Sequence, residues 1–352
     1  LRATDFESAA SAIPPLRLTR ATDHEEPTAR RSPMPDAAGI AARMAGSVSP
    51  HHRSQAAHTV SIKDAYSGSR FGLSFELFPP KTPESEAVMW RTVDELMAFD
   101  PAMITCTYGA GGSTRGTTLD VLKGVIARHD LPVASHLTCV GSSVDELRDY
   151  LRESRAMGVA AIVALRGDPP KGETAFQPVD GGLRYASELV ALIRSEFPEF
   201  GILVAGYPET HQEAVSAAAD LENLKRKCDA GGDVVVTQLF YDNADFFRFR
   251  DRCAALGITQ PIVPGVMPVT NYGQVRRIAS LCKAQLPDAF TRSFEAAGDD
   301  ETAQFEAGVT YAARQVEELI AAGVPGIHFY VLNKSPATIR VLEHVGMKRA
   351  GA

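Results

Sequence analysis

After Gly72 the chain alternates between short strand-forming runs and helical stretches, and that alternation constrains the fold more than any other feature. The runs "LSFELF" (73–78), "MITCTY" (103–108), "VASHLTC" (133–139) and "AIVALRG" (161–167) read as strands, as do "ILVAGY" (202–207), "VVVTQLF" (234–240), "IVPGV" (262–266) and "IHFYVL" (327–332). Between them lie helical patterns such as 85–99, 143–158 and 212–232, several of which end at glycine, as helices commonly do. Strand–helix alternation calls for parallel strands joined by right-handed crossovers. Eight repeats in about 280 residues predict a closed α/β architecture, the (β/α)8 TIM barrel. The acidic stretch 294–308 predicts extra helix between the seventh and eighth strands. An open doubly wound sheet shares the alternation but needs a glycine-rich fingerprint after its first strand. The nearest candidate, "YGAGGSTRG" (108–116), follows the second strand and has Thr114 in place of the third glycine. Its glycines suit either a close approach of backbone to a ligand or a plain flexible loop.

Barrel enzymes place their chemistry at the C-terminal ends of the strands, and polar residues gather there repeatedly. In the first strand, alternation puts Leu73, Phe75 and Leu77 on one face and Ser74, Glu76 and Phe78 on the other, before Pro79 and Pro80 stop it. Thr107 and Tyr108 close the second strand, His136 lies in the third, and Arg166 and Asp168 close the fourth. Tyr207, Glu209 and His211 follow the fifth, Gln238 and Asp242 the sixth, Asn333 and Lys334 the eighth. Singly, each has a structural reading: His136 as a core histidine, Asp168 as a turn cap, Arg166 as its ion-pair partner. Together they point to a cavity. Glu76 and Asp168 can divide acid and base roles if their surroundings push their pKa values apart. With Phe75, Phe78 and prolines around it, Glu76 is the carboxyl expected to be raised. On the helix 212–230, Ala217, Leu221, Leu224 and Cys228 form an apolar stripe, flanked by a polar one of Asp220, Asn223 and Lys227 with Arg226 adjacent. That second stripe reads either as a solvated face or as a grip for a nucleotide's hydroxyls and phosphates.

Composition limits the partners. A net charge of −7 with scattered cations leaves no footprint for nucleic acid or an anionic membrane. Five widely spaced cysteines suit neither a disulfide framework nor a zinc site, and the histidines lack ligand spacing, so no metal and a reducing, cytoplasmic setting are expected. No apolar run approaches the roughly 20 residues of a membrane helix. Residues 1–65 hold Phe6 as their only aromatic and predict a disordered extension ahead of a catalytic barrel over 66–352. The initial Leu suggests that translation starts naturally at Met34 or Met44.

The segments "SFELFPPK", "TCTYGAGGS", "SHLTC", "VALRGDPP", "GYPETH", "DLENLKRKCDAGGD", "TQLFYD" and "HFYVLNKS", in this order, resemble the methylenetetrahydrofolate reductase family. The resemblance implies a cytoplasmic homo-oligomer that carries FAD, takes hydride from NADH or NADPH, and reduces 5,10-methylenetetrahydrofolate to 5-methyltetrahydrofolate. It implies flavin contacts at Thr107, Tyr108, Gly109, His136, Arg166, Gly167, Asp168, Tyr185, Ala186, Tyr207 and His211, continuing on the helix at Asp220, Asn223, Arg226 and Lys227. It implies substrate contacts at Gln238, Gln274 and Lys334, with Glu76 as proton donor and Asp168 beside the flavin ring and the pterin. Lys334 stands where the family pattern has arginine, and the C-terminal regulatory domain of eukaryotic members is not expected. The rival reading, a barrel glycosidase using Glu76 and Asp168, lacks aromatic platforms for sugar, since Trp90 is the chain's one tryptophan.

Overall fold

The computed structural model describes residues 62, 64–66, 71–108, 115–169 and 176–349. Strands β1 (Gly72–Leu77), β2 (Met103–Cys106), β3 (Val133–Thr138), β4 (Ala161–Leu165), β5 (Gly201–Gly206) and β6 (Val234–Thr237) are followed by the short β7 (Ile262–Val263) and β8 (Gly265–Val266), and finally by β9 (Gly326–Tyr330). The helices are α1 (Pro83–Met97), α2 (Arg115–His129), α3 (Val144–Ala156), α4 (Ala186–Glu196), α5 (Ala217–Asp229), α6 (Asn243–Ala255), α7 (Tyr272–Cys282), α8 (Asp288–Ala297), α9 (Glu301–Ala321) and α10 (Pro336–His344). The sheet runs β7-β6-β5-β4-β3-β2-β1-β9-β8, and each neighbouring pair is parallel. The stretch 262–266, expected as one strand, is broken at Pro264, which has no N–H for a ladder. Its first half pairs with β6 and its second with β9, while the Pro264 carbonyl accepts from His328 N at 3.0 Å. Nine strand segments therefore form eight staves, and the ring closes through the broken one.

The period-2 pattern separates two environments. Leu73, Phe75 and Leu77 face outward into the main core with Val93, Leu96 and Phe329, and the Phe75 and Phe329 ring centroids lie 6.2 Å apart. Ser74 and Glu76 alternate with them and face the barrel axis. The lower interior is apolar, made by Met103, Ala134, Ala161, Leu203, Val234 and Val263 together with Ile62 and Tyr66. Ile62 and Tyr66 come from the segment just before β1 and close the barrel floor, so the boundary that composition draws at residue 65 falls inside this floor. Two glycines admit it: a Cβ on Gly72 would lie 2.4 Å from the Tyr66 ring, and one on Gly201 would lie 2.5 Å from Ile62 Cγ2. The other residues of the expected N-terminal extension lie outside the described residues.

Between β8 and β9 stand three helices, with α9 as the barrel helix and α7 and α8 as the insertion; the acidic stretch 294–308 spans the end of α8 and the first part of α9. Helix α5 begins at Ala217, later than its sequence pattern suggests, because Ser216 caps it by accepting from Ala219 N at 3.1 Å. This leaves residues 207–215 free to loop over the barrel mouth.

Candidate active site

Glu76, next to last in β1, is 7% exposed and shares its register with Thr105 on β2 and Tyr330 on β9. Two imidazoles converge on one of its oxygens: His136 Nε2 lies 3.2 Å and His328 Nε2 3.4 Å from Oε2. Burial pushes the carboxyl pKa up, but the charge and hydrogen bonds of the two histidines outweigh it and bring the value down to about 2. The expectation that an apolar pocket raises Glu76 is therefore overturned. Phe75 points away into the outer core, and His328 arrives from 252 residues further along the chain. The raised carboxyl is Asp168, just beyond β4. Burial and the Glu213 charge take it to about 6 against the opposing pull of Arg166.

Glu76, Thr107, Tyr108, His136, Arg166, Gly167, Asp168, Tyr207, His211 and Gln238 all line one cavity of about 1330 Å³, measured to its open mouth. Gln274 and Lys334 line a second cavity of about 710 Å³. The two adjoin through Met267, Tyr330 and Leu332, which border both. The polar stripe of α5 reaches the first cavity from above. Lys227 Nζ donates to the carbonyl of Ala205, a lining residue, at 2.5 Å, and Asp220 Oδ2 accepts from His211 N at 2.8 Å. Burial pushes the Lys227 ammonium pKa down to about 8 despite Asp220 nearby. Arg226 is exposed and donates to Asn223 Oδ1. Tyr185, 54% exposed at the start of α4, and Ala186 border neither cavity. Gly109 lies outside the described residues.

Several lining groups escape the strand-end reading. His328 and Tyr330 alternate inward on β9, a signal present in "IHFYVL" but one that looked like an ordinary buried strand. Thr105 and Thr138 present buried hydroxyls that lack a partner among the described residues, and both line the first cavity. Glu213 takes both arms of the Arg166 guanidinium, at 2.5 and 2.9 Å. The Tyr207 and His211 rings meet edge to face at 4.6 Å. Unsatisfied hydroxyls, ring edges, a fork-shaped cation and a half-buried ammonium suit a large ring-bearing ligand with an anionic arm.

A model of the methylenetetrahydrofolate reductase family matches residues 61–346. The chain is 39% identical over 279 residues to the Escherichia coli 5,10-methylenetetrahydrofolate reductase, covering 79% of this chain and 92% of that one. It is 37% identical to the Zea mays methylenetetrahydrofolate reductase (NADH) 1 over 81% of its own length and 50% of the relative's. Among solved structures, a Clostridium thermocellum protein described as binding two copies of 5-methyl-5,6,7,8-tetrahydrofolic acid superposes with a TM-score of 0.51 at 13% identity, covering 80% of this chain and 97% of that one, and so shares the fold. From the family match and the 39% identity, the chain belongs to the methylenetetrahydrofolate reductase family, oxidoreductases that reduce methylenetetrahydrofolate.

Proposed function

We propose that the chain uses bound FAD and a reduced nicotinamide, NADH before NADPH, to convert 5,10-methylenetetrahydrofolate into 5-methyltetrahydrofolate. The observation that carries the reading is the pairing, in one cavity, of a carboxylate clamped by two histidines with a second carboxyl whose proton affinity is raised. The plant relative's name specifies NADH, and the five free cysteines support a reducing, cytoplasmic setting.

The cavity divides its work by residue. Arg166 and Lys227 supply cations for a diphosphate, Asp220 and Asn223 offer acceptors for ribose and ribityl hydroxyls, and the Thr105 and Thr138 hydroxyls await a partner. When bound there, the flavin supplies the hydride carrier between nicotinamide and folate. The second cavity gives the folate's aminobenzoyl-glutamate arm an exit, with the Lys334 ammonium meeting a carboxylate and Gln274 an amide.

In the substrate the methylene carbon bridges two nitrogens, and it accepts hydride once protonation of one nitrogen opens a C–N bond to an iminium. Glu76 passes that proton. Because Glu76 rests as a carboxylate, the proton belongs to the cluster of Glu76, His136 and His328 rather than to Glu76 alone. His136 Nε2 lies against Oε2 on the path by which the carboxyl is resupplied, and the carboxyl passes a proton on to the folate nitrogen as general acid. Asp168, ionised above about 6, opposes build-up of negative charge beside it and, in either protonation state, offers a hydrogen bond to the pterin's polar edge. Protein purified under mild conditions should be yellow and release FAD on denaturation, with the bound flavin bleached by NADH and reoxidised by methylenetetrahydrofolate. A colourless protein that cannot be reconstituted with FAD refutes the reading.

A further inference from the structure

Below the cavity a hydrogen-bonded chain runs up the barrel axis from its floor. Tyr66 Oη donates to Ser74 Oγ at 2.8 Å, Ser74 Oγ meets His328 Nδ1 at 2.9 Å, and His328 Nε2 meets Glu76 Oε2 at 3.4 Å. All four members are nearly sealed from solvent: Tyr66 is 1%, Ser74 0%, His328 2% and Glu76 7% exposed. A serine hydroxyl has one proton and two lone pairs. With Tyr66 donating to one lone pair of Ser74, a Nδ1–H on the other would leave the serine's buried proton without an acceptor, so that proton goes to Nδ1. An imidazole that accepts at Nδ1 must carry its proton on Nε2, which is the nitrogen aimed at Glu76.

We infer that Tyr66, a residue of the segment preceding the barrel, is a positioning residue that locks His328 in its Nε2–H tautomer through Ser74. The lock presents Glu76 with a fixed N–H donor and leaves the exchangeable proton to Glu76 and His136. The packing shows the tyrosine is built in, since Gly72 leaves its ring room that any Cβ would fill. The downward shift of the Glu76 carboxyl is in keeping with two N–H donors on one oxygen. The other titratable groups facing Glu76 stay neutral: burial and the Glu76 charge push Cys106 on β2 and Tyr330 on β9 up. Without the tyrosine proton, Ser74 can accept from a Nδ1–H instead, His328 then turns a bare Nε2 to Glu76, and the carboxyl must hold a proton itself to keep the bond.

This inference deepens the proposed role of Glu76, and its first test is independent of that role. Selective ¹⁵N labelling of histidine in the full chain, with H328N used for assignment, reads the tautomer without substrate or cofactor. The expected result is a protonated Nε2 in the native protein and a shift toward protonated Nδ1 in Y66F, with Y66L, which also removes the hydroxyl and keeps Ser74, giving the same shift should Y66F fold poorly. His328 keeping the Nε2–H form in both variants, or carrying Nδ1–H in the native protein, overturns the inference. In the second test, the apparent pKa of the folate half-reaction should move up in Y66F by about 1–2 units, the worth of one hydrogen bond to a charged group. Restoring tyrosine at position 66 should return it. A tautomer shift with an unmoved pH profile would leave the lock standing and refute Glu76 as the acid.

Discussion

Asp168→Asn should stabilise the FAD-free protein at neutral pH and lose that advantage in acid. Burial raises the Asp168 carboxyl from 3.8 to about 6, so the folded state binds its proton more tightly than the unfolded chain does. The sign follows from linkage: ionised Asp168 costs nothing below the unfolded pKa of about 3.9, and its cost is complete above the folded value. About two units at 1.36 kcal/mol each set a ceiling of about 3 kcal/mol. Solvent on the open side of the cavity screens the charge and brings the expected gain to about 1–3 kcal/mol. For a barrel of this size that is roughly 2–6 °C in Tm. Asparagine keeps the shape, and Arg166 keeps its fork on Glu213, so the comparison isolates the charge. Thermal melts of both proteins at pH 7.5 and 4.5 provide the assay, and at the lower pH the difference should shrink to about a third. An equal difference at both values, or a destabilised variant at pH 7.5, would refute burial of Asp168 as the cause.

Glu76→Gln should slow folate reduction by about 10²–10⁴, the range of a lost general acid, and slow flavin reduction by NADH far less, as stopped-flow on each half will show. Lys227→Ala should weaken FAD binding by about 10- to 150-fold, as for a lost charge-assisted bond, and more than Arg226→Ala does, because Lys227 is drawn in toward Ala205 while Arg226 is exposed; fluorescence titration separates the two. Gly72→Ala should cost about 1–3 kcal/mol in chemical denaturation, because the new methyl overlaps the Tyr66 ring. Lys334→Ala should raise the folate KM by about 2- to 5-fold, the worth of one exposed charge contact, and Lys334→Arg should hold or lower it.

Strand order, stave count and the inward position of Glu76 are legible because period-2 alternation and proline stops act locally. So is the gathering of ten expected residues around one cavity, since a parallel barrel brings all C-terminal strand ends to one rim. What local patterns do not carry is the pairing of side chains from distant staves. His328 reaches Glu76 across the closure between β1 and β9, and it adds to the larger pull of His136 in bringing the Glu76 carboxyl below Asp168. Pro264 splits a stave for a local reason, yet both halves still pair because the neighbouring strands hold them. The floor was illegible for a different reason: Ile62 and Tyr66 sit at the edge of a composition too poor in core formers to be read as structure. Tyr185 and Ala186 entered through resemblance alone, and in this structure they border neither cavity.

The opposite shifts of Glu76 and Asp168 within one cavity follow from an uneven barrel interior. Strands β1, β2, β3 and β9 turn Ser74, Glu76, Thr105, His136, Thr138, His328 and Tyr330 inward, whereas β4, β5 and β6 contribute Val163, Leu165, Leu203, Ala205 and Val236. Glu76 stands on the polar half, where imidazole N–H groups more than offset its loss of hydration. Asp168 stands just beyond β4 on the apolar half, where Arg166 is the opposing cation among the described residues and is shared with Glu213. In a low-dielectric interior each missing partner counts for more than it would in water, so a modest difference in neighbours becomes a separation of about four units, from about 2 to about 6. The apolar half also leaves room for a flat ring without competing for the hydrogen bonds that hold the proton cluster in place. Moving a single donor across the axis, as Val163→His would, should therefore lower Asp168 toward Glu76 and narrow that separation, which a titration of the FAD-free protein can read directly.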